Sequence, residues 1–315
     1  MKNILCIGMA NVDVIAAPID KLSTDGDTTH AEQIRMTTGG DALNTAIRLR
    51  NMGCPTAFAG MVGDDAAADF LTENLRGIEC SGVIRSKELQ TAICMALVDS
   101  AGQRKFIYNS GANRLISGKN LSEEMLKDAG IVHVGGIMQL PALEADLHEI
   151  FRRAHRHRAM TSMDVTCSTD GTWLSKIDTA LYETDYFLPS IDEARAISGY
   201  STLDRICGFF EKYSLKALVI KLGARGCYVT DFKREACLPA CVTDVVDTTG
   251  AGDTFVAGFL AGVLRGENCF TAAAIGNVSA SVCVGAIGAS GGNITYESAL
   301  DLAKKGVIQT EERKI

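Results

Sequence analysis

One short stretch, Asp247-Thr248-Thr249-Gly250-Ala251-Gly252-Asp253-Thr254-Phe255, sets a carboxylate directly behind a turn of small residues and at the head of an apolar helix. The helix follows from the spacing of Phe255, Val256, Phe259, Leu260, Val263 and Leu264. Gly250 and Gly252 let the backbone turn sharply and leave it open to a ligand. A helix start offers unpaired N–H groups and a partial positive charge, which together receive anions. A carboxylate beside such a cradle can take a proton from a hydroxyl while charge on a transferring phosphoryl group is stabilised. Taken alone, Asp253 is equally well an acid at a helix start, an arrangement worth about 1 kcal/mol.

A second glycine signature stands near the N-terminus. Gly39-Gly40-Asp41-Ala42-Leu43-Asn44 opens a helix that ends near Met52-Gly53, and Asn11-Val12-Asp13 follows the first apolar strand. With the Asp253 turn, these motifs resemble the ribokinase-like (PfkB) carbohydrate kinase family from the first strand to about Tyr296, nearly the whole chain. The resemblance makes Asp253 the base for the acceptor hydroxyl, and the amides of Gly250, Ala251, Gly252 and Asp253 the anion hole. It assigns Asn11, Asp13, Gly39, Gly40, Asp41 and Asn44 to the sugar. Leu222-Gly223-Ala224-Arg225-Gly226 resembles the loop beneath the ATP phosphates, so Gly223, Gly226 and Lys221 at its mouth become nucleotide contacts. Asn277 falls where the family meets the adenine nucleotide; a buried amide satisfied within its own helix is the other reading.

Glu193 matches the acid of the family's NxxE motif, which helps hold Mg2+ through water. Ser190 stands where that motif has Asn, which puts a direct Ser190 contact to nucleotide in doubt, and Ser190-x-x-Glu193 is also a capping box for the next helix. Asp247 and Thr249 match positions that bind potassium in monovalent-cation-activated members. Backbone carbonyls near Cys283, Ala286, Gly288 and Gly292 would complete that set, while Asp247 equally serves to cap the turn.

The implied activity is ATP- and Mg2+-dependent transfer of the γ-phosphoryl group to a terminal hydroxymethyl group of an unphosphorylated monosaccharide, ribose-, fructose- or ketosugar-like. Asp41 stands where ribose-specific members carry Lys, and a carboxylate beside the sugar repels a substrate phosphate. Ribose kinases follow the match to Gln139-Leu140 with a Glu against the sugar; here Pro141 follows, and Glu144 stands three residues on. Tyr108-Asn109-Ser110-Gly111-Ala112-Asn113 resembles the lid return strand of ribokinases, and Met36–Asn44, MTTGGDALN, resembles unassigned bacterial sugar kinases. A nucleoside kinase of the same family is the alternative, and a non-catalytic sugar or nucleotide sensor a further one, which would lose the base. No GxxxxGK[ST] P-loop is present, so phosphate binding falls to the Asp253 turn. The first strand ends in Gly8-Met9-Ala10-Asn11, not the GxGxxG of dinucleotide-dependent dehydrogenases.

Apolar strand-like runs at Ile4–Ile7, Ala57–Val62, Ile131–Val134, Ala159–Asp164, Tyr186–Leu188, Ala217–Lys221 and Cys227–Thr230 must position these groups. They alternate with helical patterns at Ala42–Met52, Ala66–Leu75, Leu143–His155, Ile191–Ile197, Leu203–Tyr213, Thr254–Leu264 and Thr271–Val284. That alternation predicts an α/β fold with a mostly parallel central sheet and helices on both faces. Two segments break it, about 13–37 and 91–113, the second a hairpin turning at Ser100–Gln103; they predict two short strand pairs forming a small β-sheet lid. Unpaired lid edges predict a homodimer through the lid. With no repeat or Pro-rich linker, residues 1–315 are expected to form one domain.

Hydrophobic residues make up 47% of the chain, enough for a large core, and the net charge of −7 argues against nucleic-acid and acidic-membrane partners. The basic run Arg152 to Arg158, with His155 and His157 inside it, is expected on a solvated helix face. Eleven scattered cysteines without a CxxC pair predict reduced, buried thiols rather than disulfides or zinc. The start of the chain makes a poor signal peptide, and the uncharged stretch 271–296 is too polar and glycine-rich to span a membrane. A cytoplasmic protein is expected.

Overall fold

The first strand, β1 (Asn3–Gly8), shows how the fold is assembled. Ile4 and Cys6 face one side of the sheet, Leu5 and Ile7 the other, and all four are buried. A strand covered on both faces has no use for polar alternation, which is why it reads as a continuous apolar run. The computed structural model describes residues 2–23, 26–168, 170–286, 292–307 and 313–314, with side chains omitted at 307, 313 and 314.

After β1 come β2 (Asn11–Ala17), β3 (Gln33–Gly39), α1 (Asp41–Asn51), β4 (Thr56–Gly63), α2 (Ala66–Asn74) and β5 (Glu79–Ser86). Then follow β6 (Ala92–Val98), β7 (Arg104–Asn109), α3 (Glu123–Asp128), β8 (Ala129–Ile137), α4 (Pro141–Arg156), β9 (Met160–Val165) and α5 (Leu174–Leu181). The described chain closes with β10 (Tyr186–Phe187), α6 (Ile191–Ser198), α7 (Leu203–Phe210), β11 (Ala217–Lys221), β12 (Cys227–Thr230), β13 (Arg234–Leu238), α8 (Ala251–Leu264), α9 (Cys269–Val284), α10 (Tyr296–Val307) and β14 (Arg313–Lys314).

The large sheet runs β14-β13-β12-β11-β10-β9-β8-β1-β4-β5, parallel from β11 to β5 and antiparallel beyond. Helices α1, α8 and α9 supply the core on one face, and α4 to α7 on the other. Helices α8 and α9 are buried on nearly every side, which accounts for the uncharged stretch that begins at 271. Among the described residues no helix is long and apolar enough to cross a membrane.

Strand parity decides which side chains reach which face. In β9, Met163 and Val165 join the α4–α7 core, so Asp164 points to the α8 face; in β11, Leu218 and Ile220 do the same, so Lys221 points with Asp164. Both stand at the carboxyl ends of parallel strands. β1 lies between β8 and β4, so the chain leaves it on both sides, and such a switch point opens a crevice at the strand ends.

The two strand pairs join, apart from the large sheet, into one small sheet of order β3-β2-β6-β7. It is continuous because β2 and β6 pair in parallel, placing Asp13 opposite Cys94. The β6–β7 hairpin turns where expected, with the Asp99 carboxylate accepting the amides of Ala101 and Gln103. The expected strands and helices are all present, with shifted ends. Helix α7 stops at Phe210 and tightens into a 3-10 turn over Glu211–Tyr213, and α8 begins at Ala251. Edge strand β5, whose buried positions are Gly82 and Ser86 rather than large apolar residues, carried too little pattern to be seen, as did the short α3 and α5.

The basic run at 152–158 is less solvated than expected. Arg153 bonds Glu123 and two carbonyls, and His155 lies between Glu183 and Asp185. The cysteines are free; Cys6, Cys54, Cys227 and Cys283 are buried, whereas Cys167, Cys237 and Cys241 are exposed, Cys237 on an outward position of β13 and Cys241 in the loop after it.

Candidate active site

Helix α1 enters the crevice at Gly40, whose positive φ of 96° brings it against the first strand's exit; a Cβ there would stand 2.5 Å from the Met9 carbonyl. One turn in, Asn44 is 7% exposed and donates from Nδ2 to Asp253 Oδ2 at 2.7 Å. Thr45 adds a hydroxyl contact to the Asp253 carbonyl at 3.4 Å. Two motifs more than 200 residues apart in sequence thus meet.

Asp13, on β2, lies over the same space. Asn11 Nδ2 donates to Asp13 Oδ1 at 2.5 Å, and a side chain at Gly39 would collide with that carboxylate. Burial and the neighbouring Asp253 push the Asp13 carboxyl up to about 7, against the pull of Asn11. Burial, then Asp253 and Asp164, hold the Asp41 carboxyl well above its ordinary range. Burial likewise raises Asp253, opposed by the Asn44 amide and the charges of Lys221 and Arg48. A raised carboxylate is a stronger base, which suits proton abstraction near neutral pH.

Helix α8 starts at Gly250, in the left-handed region at φ 72°, and no side chain caps it. By contrast α2, α6 and α9 are capped by Asp65, Ser190 and Asn268. Lys221 Nζ lies 3.6 Å from where a Cβ at Gly252 would be, and it pairs with Asp164 at 2.5 Å. Burial opposes the lysine's charge, but Asp164 and Glu193 outweigh it, so Lys221 stays protonated beside the turn. A cavity of about 450 Å³ extends from there, lined by Lys221, Gly223, Gly226, Cys241, Gly252 and Asn277 among others.

Other expected site residues have structural partners. Ser190 and Glu193 form the reciprocal capping box, Ser190 N to Glu193 Oε2 at 2.6 Å and Glu193 N to Ser190 Oγ at 3.3 Å. Asn277 bonds neither within its helix nor outward: its Nδ2 donates to the Leu238 and Pro239 carbonyls at 3.1 and 3.3 Å, on the cavity wall. Glu144 turns away from the crevice and accepts the Met138 and Leu140 amides at 2.9 Å, at the start of α4. Asp247 and Thr249 both contact Arg104 at the start of β7. Gly288 lies outside the described residues.

Several groups were not singled out in advance. Asp164 is one: like the expected Lys221 it sets a charge at the carboxyl end of a buried strand, and in a parallel sheet that is where ligands meet strands. Tyr108 and Cys94 lie opposite each other in the register, on the row that carries Asp13. Arg48, 3% exposed in the last turn of α1, was hidden because nothing in a helical pattern says what a buried arginine touches.

A protonated lysine, a side-chain-uncapped helix start and a carboxylate converge on one crevice of an α/β fold, as in phosphotransferases with an alcohol acceptor. Residues 1–295 match the model of the pfkB family carbohydrate kinases, and the chain belongs to that family. It is 30% identical to the 2-dehydro-3-deoxygluconokinase of Bacillus subtilis over 276 residues, covering 82% of this chain and 84% of that protein. In fold it is similar to Arabidopsis thaliana ribokinase complexed with ribose and ATP, at TM-score 0.84 and 24% identity over 96% of this chain and 99% of the other. It is also similar to a putative ribokinase II from E. coli in complex with ATP and Mg2+, at TM-score 0.83 and 20% identity over 98% and 100%.

Proposed function

We propose that this sugar kinase transfers the γ-phosphoryl group of ATP to a terminal hydroxymethyl group of an unphosphorylated monosaccharide. The observation that carries the reading is the Asn44–Asp253 contact at 2.7 Å, which fixes a raised carboxylate between the acidic sugar positions and the cavity beside Lys221. Asn44 leaves Asp253 Oδ1 to take the hydroxyl proton. The amides of Gly250 to Asp253 and the Lys221 ammonium meet the charge that develops on the transferring group. Asn11, Asp13, Asp41 and Asn44 offer paired donors and acceptors to a polyol. Three half-buried acids there, Asp13, Asp41 and Asp253, oppose a substrate that already carries a phosphate.

The nucleotide fits the cavity lined by Gly223, Gly226 and Asn277, whose walls also carry the apolar side chains of Val242, Val245, Phe255 and Val284. Mg2+ would neutralise phosphate charge; Glu193, turned toward Lys221 and Asp164, and Asp164 itself are the carboxylates that would hold it through water. The small sheet, carrying Asp13, Cys94 and Tyr108 on one row, acts as a lid that excludes water during transfer. Ile34, Met36, Met95, Phe106 and Ile107 are exposed on it, which supports pairing with a second copy, checked by light scattering with and without sugar.

A panel of ribose, fructose, other ketosugars, nucleosides and sugar phosphates, with ATP and Mg2+, tests the reading. Turnover is expected on a free sugar. No turnover on any free sugar, with good turnover on a nucleoside or a sugar phosphate, would overturn it.

A further inference from the structure

Among the described residues, most of the groups that would ligate a potassium ion beside the anion hole already accept donors from the protein. Asp247 Oδ1 takes an ion pair from Arg104 and a hydrogen bond from the Thr249 amide at 2.8 Å. The Thr249 hydroxyl accepts from the other end of the same guanidinium. The Thr249 carbonyl faces Cys283 Sγ at 3.6 Å, and that sulfur lies 3.2 Å from Arg48 Nη2. Arg48 Nη1 donates to the Gly292 carbonyl at 2.7 Å, and the Cys283 carbonyl accepts the Ala286 amide at 3.1 Å.

An alkali cation is held by oxygen lone pairs, and a guanidinium bound to the same oxygens repels it. Arg48 keeps its charge even when buried, since guanidinium does not deprotonate in proteins. Its field also reaches Asp253 and favours the ionised base. Arg104 stands on the lid, so its charge arrives at the 247–249 loop with the lid and not from solution. We infer that this kinase works without a monovalent cation, Arg104 and Arg48 supplying the charge. Arg104 is a positioning residue: it orders the turn ahead of the anion hole and touches no reacting atom. The inference rests on the sugar-kinase reading above.

The test compares KCl, NaCl and N-methylglucamine chloride at constant ionic strength, following kcat/KM with ATP, Mg2+ and the sugar found in the panel, and the melting temperature in each salt. Wild-type turnover is expected to agree among the salts within about twofold, as for an equilibrium with no coupling to the ion. Arg104→Ala is expected to lose about tenfold or more in N-methylglucamine and to regain part of it in KCl only, because the vacated oxygens then face an open site. Arg104→Lys, which keeps the charge without the fork, should lose less. Potassium activation of the wild type, an Arg104→Ala variant equal to wild type in all salts, or a loss identical in all salts would each overturn the inference. No turnover of any sugar in any salt counts against the kinase reading instead. The melting curves still decide in that case: a potassium-specific rise in the wild type overturns the inference, and a rise confined to Arg104→Ala supports it.

Discussion

The two halves of the crevice are built from different material. Over the sugar positions the walls are side chains, with Asn11, Asp13, Asp41 and Asn44 held close and their acids crowded against Asp253. Over the proposed nucleotide positions the cavity is lined by glycines, alanines and apolar side chains, Val242, Val245, Phe255 and Val284 among them, with few polar groups beyond Lys221, Asn277 and the start of α8. Side chains recognise by matched donors and acceptors, and mismatches are costly when buried. Main chain at a helix start recognises charge and shape. On the function proposed above, selectivity belongs to the first half and general phosphate handling to the second, with Asp253 on the seam.

Substitution at that seam should have the largest effect. Asp253→Asn keeps the shape and removes the base, so kcat is expected to fall by about 10³-fold or more. Sugar affinity, measured by calorimetry, should stay within severalfold of wild type. If turnover survives, proton abstraction is not the task of Asp253 and the division of labour loses its centre.

The nucleotide half is tested next by Lys221→Met, expected to lower kcat/KM by about 10²-fold, the usual cost of one stabilising group on a transferring oxyanion. It also leaves Asp164 buried without its cation, so the variant should melt lower. Adding Asp164→Asn should recover the melting temperature without recovering turnover. Recovery of both would make the pair structural only.

How much of this was legible varied with the kind of group. Asp253, Asn44 and Asp13 were readable because side-chain chemistry beside glycine turns leaves a sequence pattern, and they converge in space. The sheet was readable because two-sided burial leaves unbroken apolar runs, as in β1 and β11. Contacts through main chain leave no such mark, so the reach of Lys221 to Gly252 had to come from geometry. The small sheet was legible as two pairs and a lid, but not the way they join, because β2 pairs in parallel with β6 across residues 81 apart, which no local spacing encodes. Glu144 and Ser190 show the converse: a polar residue near the site can be spent on a helix start.

A smaller effect is expected from Asn277→Ala. Its amide holds the carbonyls of Leu238 and Pro239 where the chain turns along the cavity wall. Losing that support is worth about 1 kcal/mol, so KM for ATP should rise about fivefold with kcat unchanged. A fall in kcat with KM unchanged would place Asn277 in the chemistry rather than in the wall.

The smallest effect, Asp13→Asn, tests whether the sugar half is held at a cost in stability. The Asp13 carboxyl is pushed up to about 7 in the folded chain, first by burial and then by Asp253, from an ordinary value of 3.8. Between those values the native state holds a proton that the unfolded chain releases, so stability falls as pH rises from 4 to 7 and is level beyond. An amide carries no such proton. At pH 8 the variant should be more stable than wild type by about 1 kcal/mol, allowing for solvent screening, which is about 2 °C in a chain of this size. That gain should vanish below pH 4, while sugar binding weakens at every pH because one acceptor has become a donor. Asn277→Ala, which keeps Asp13, should follow the wild-type slope, so its difference from wild type should not change with pH. Parallel melting profiles for wild type and Asp13→Asn across this range would mean that Asp13 ionises freely in the folded chain, and the crowding of acids would then not distinguish the two halves.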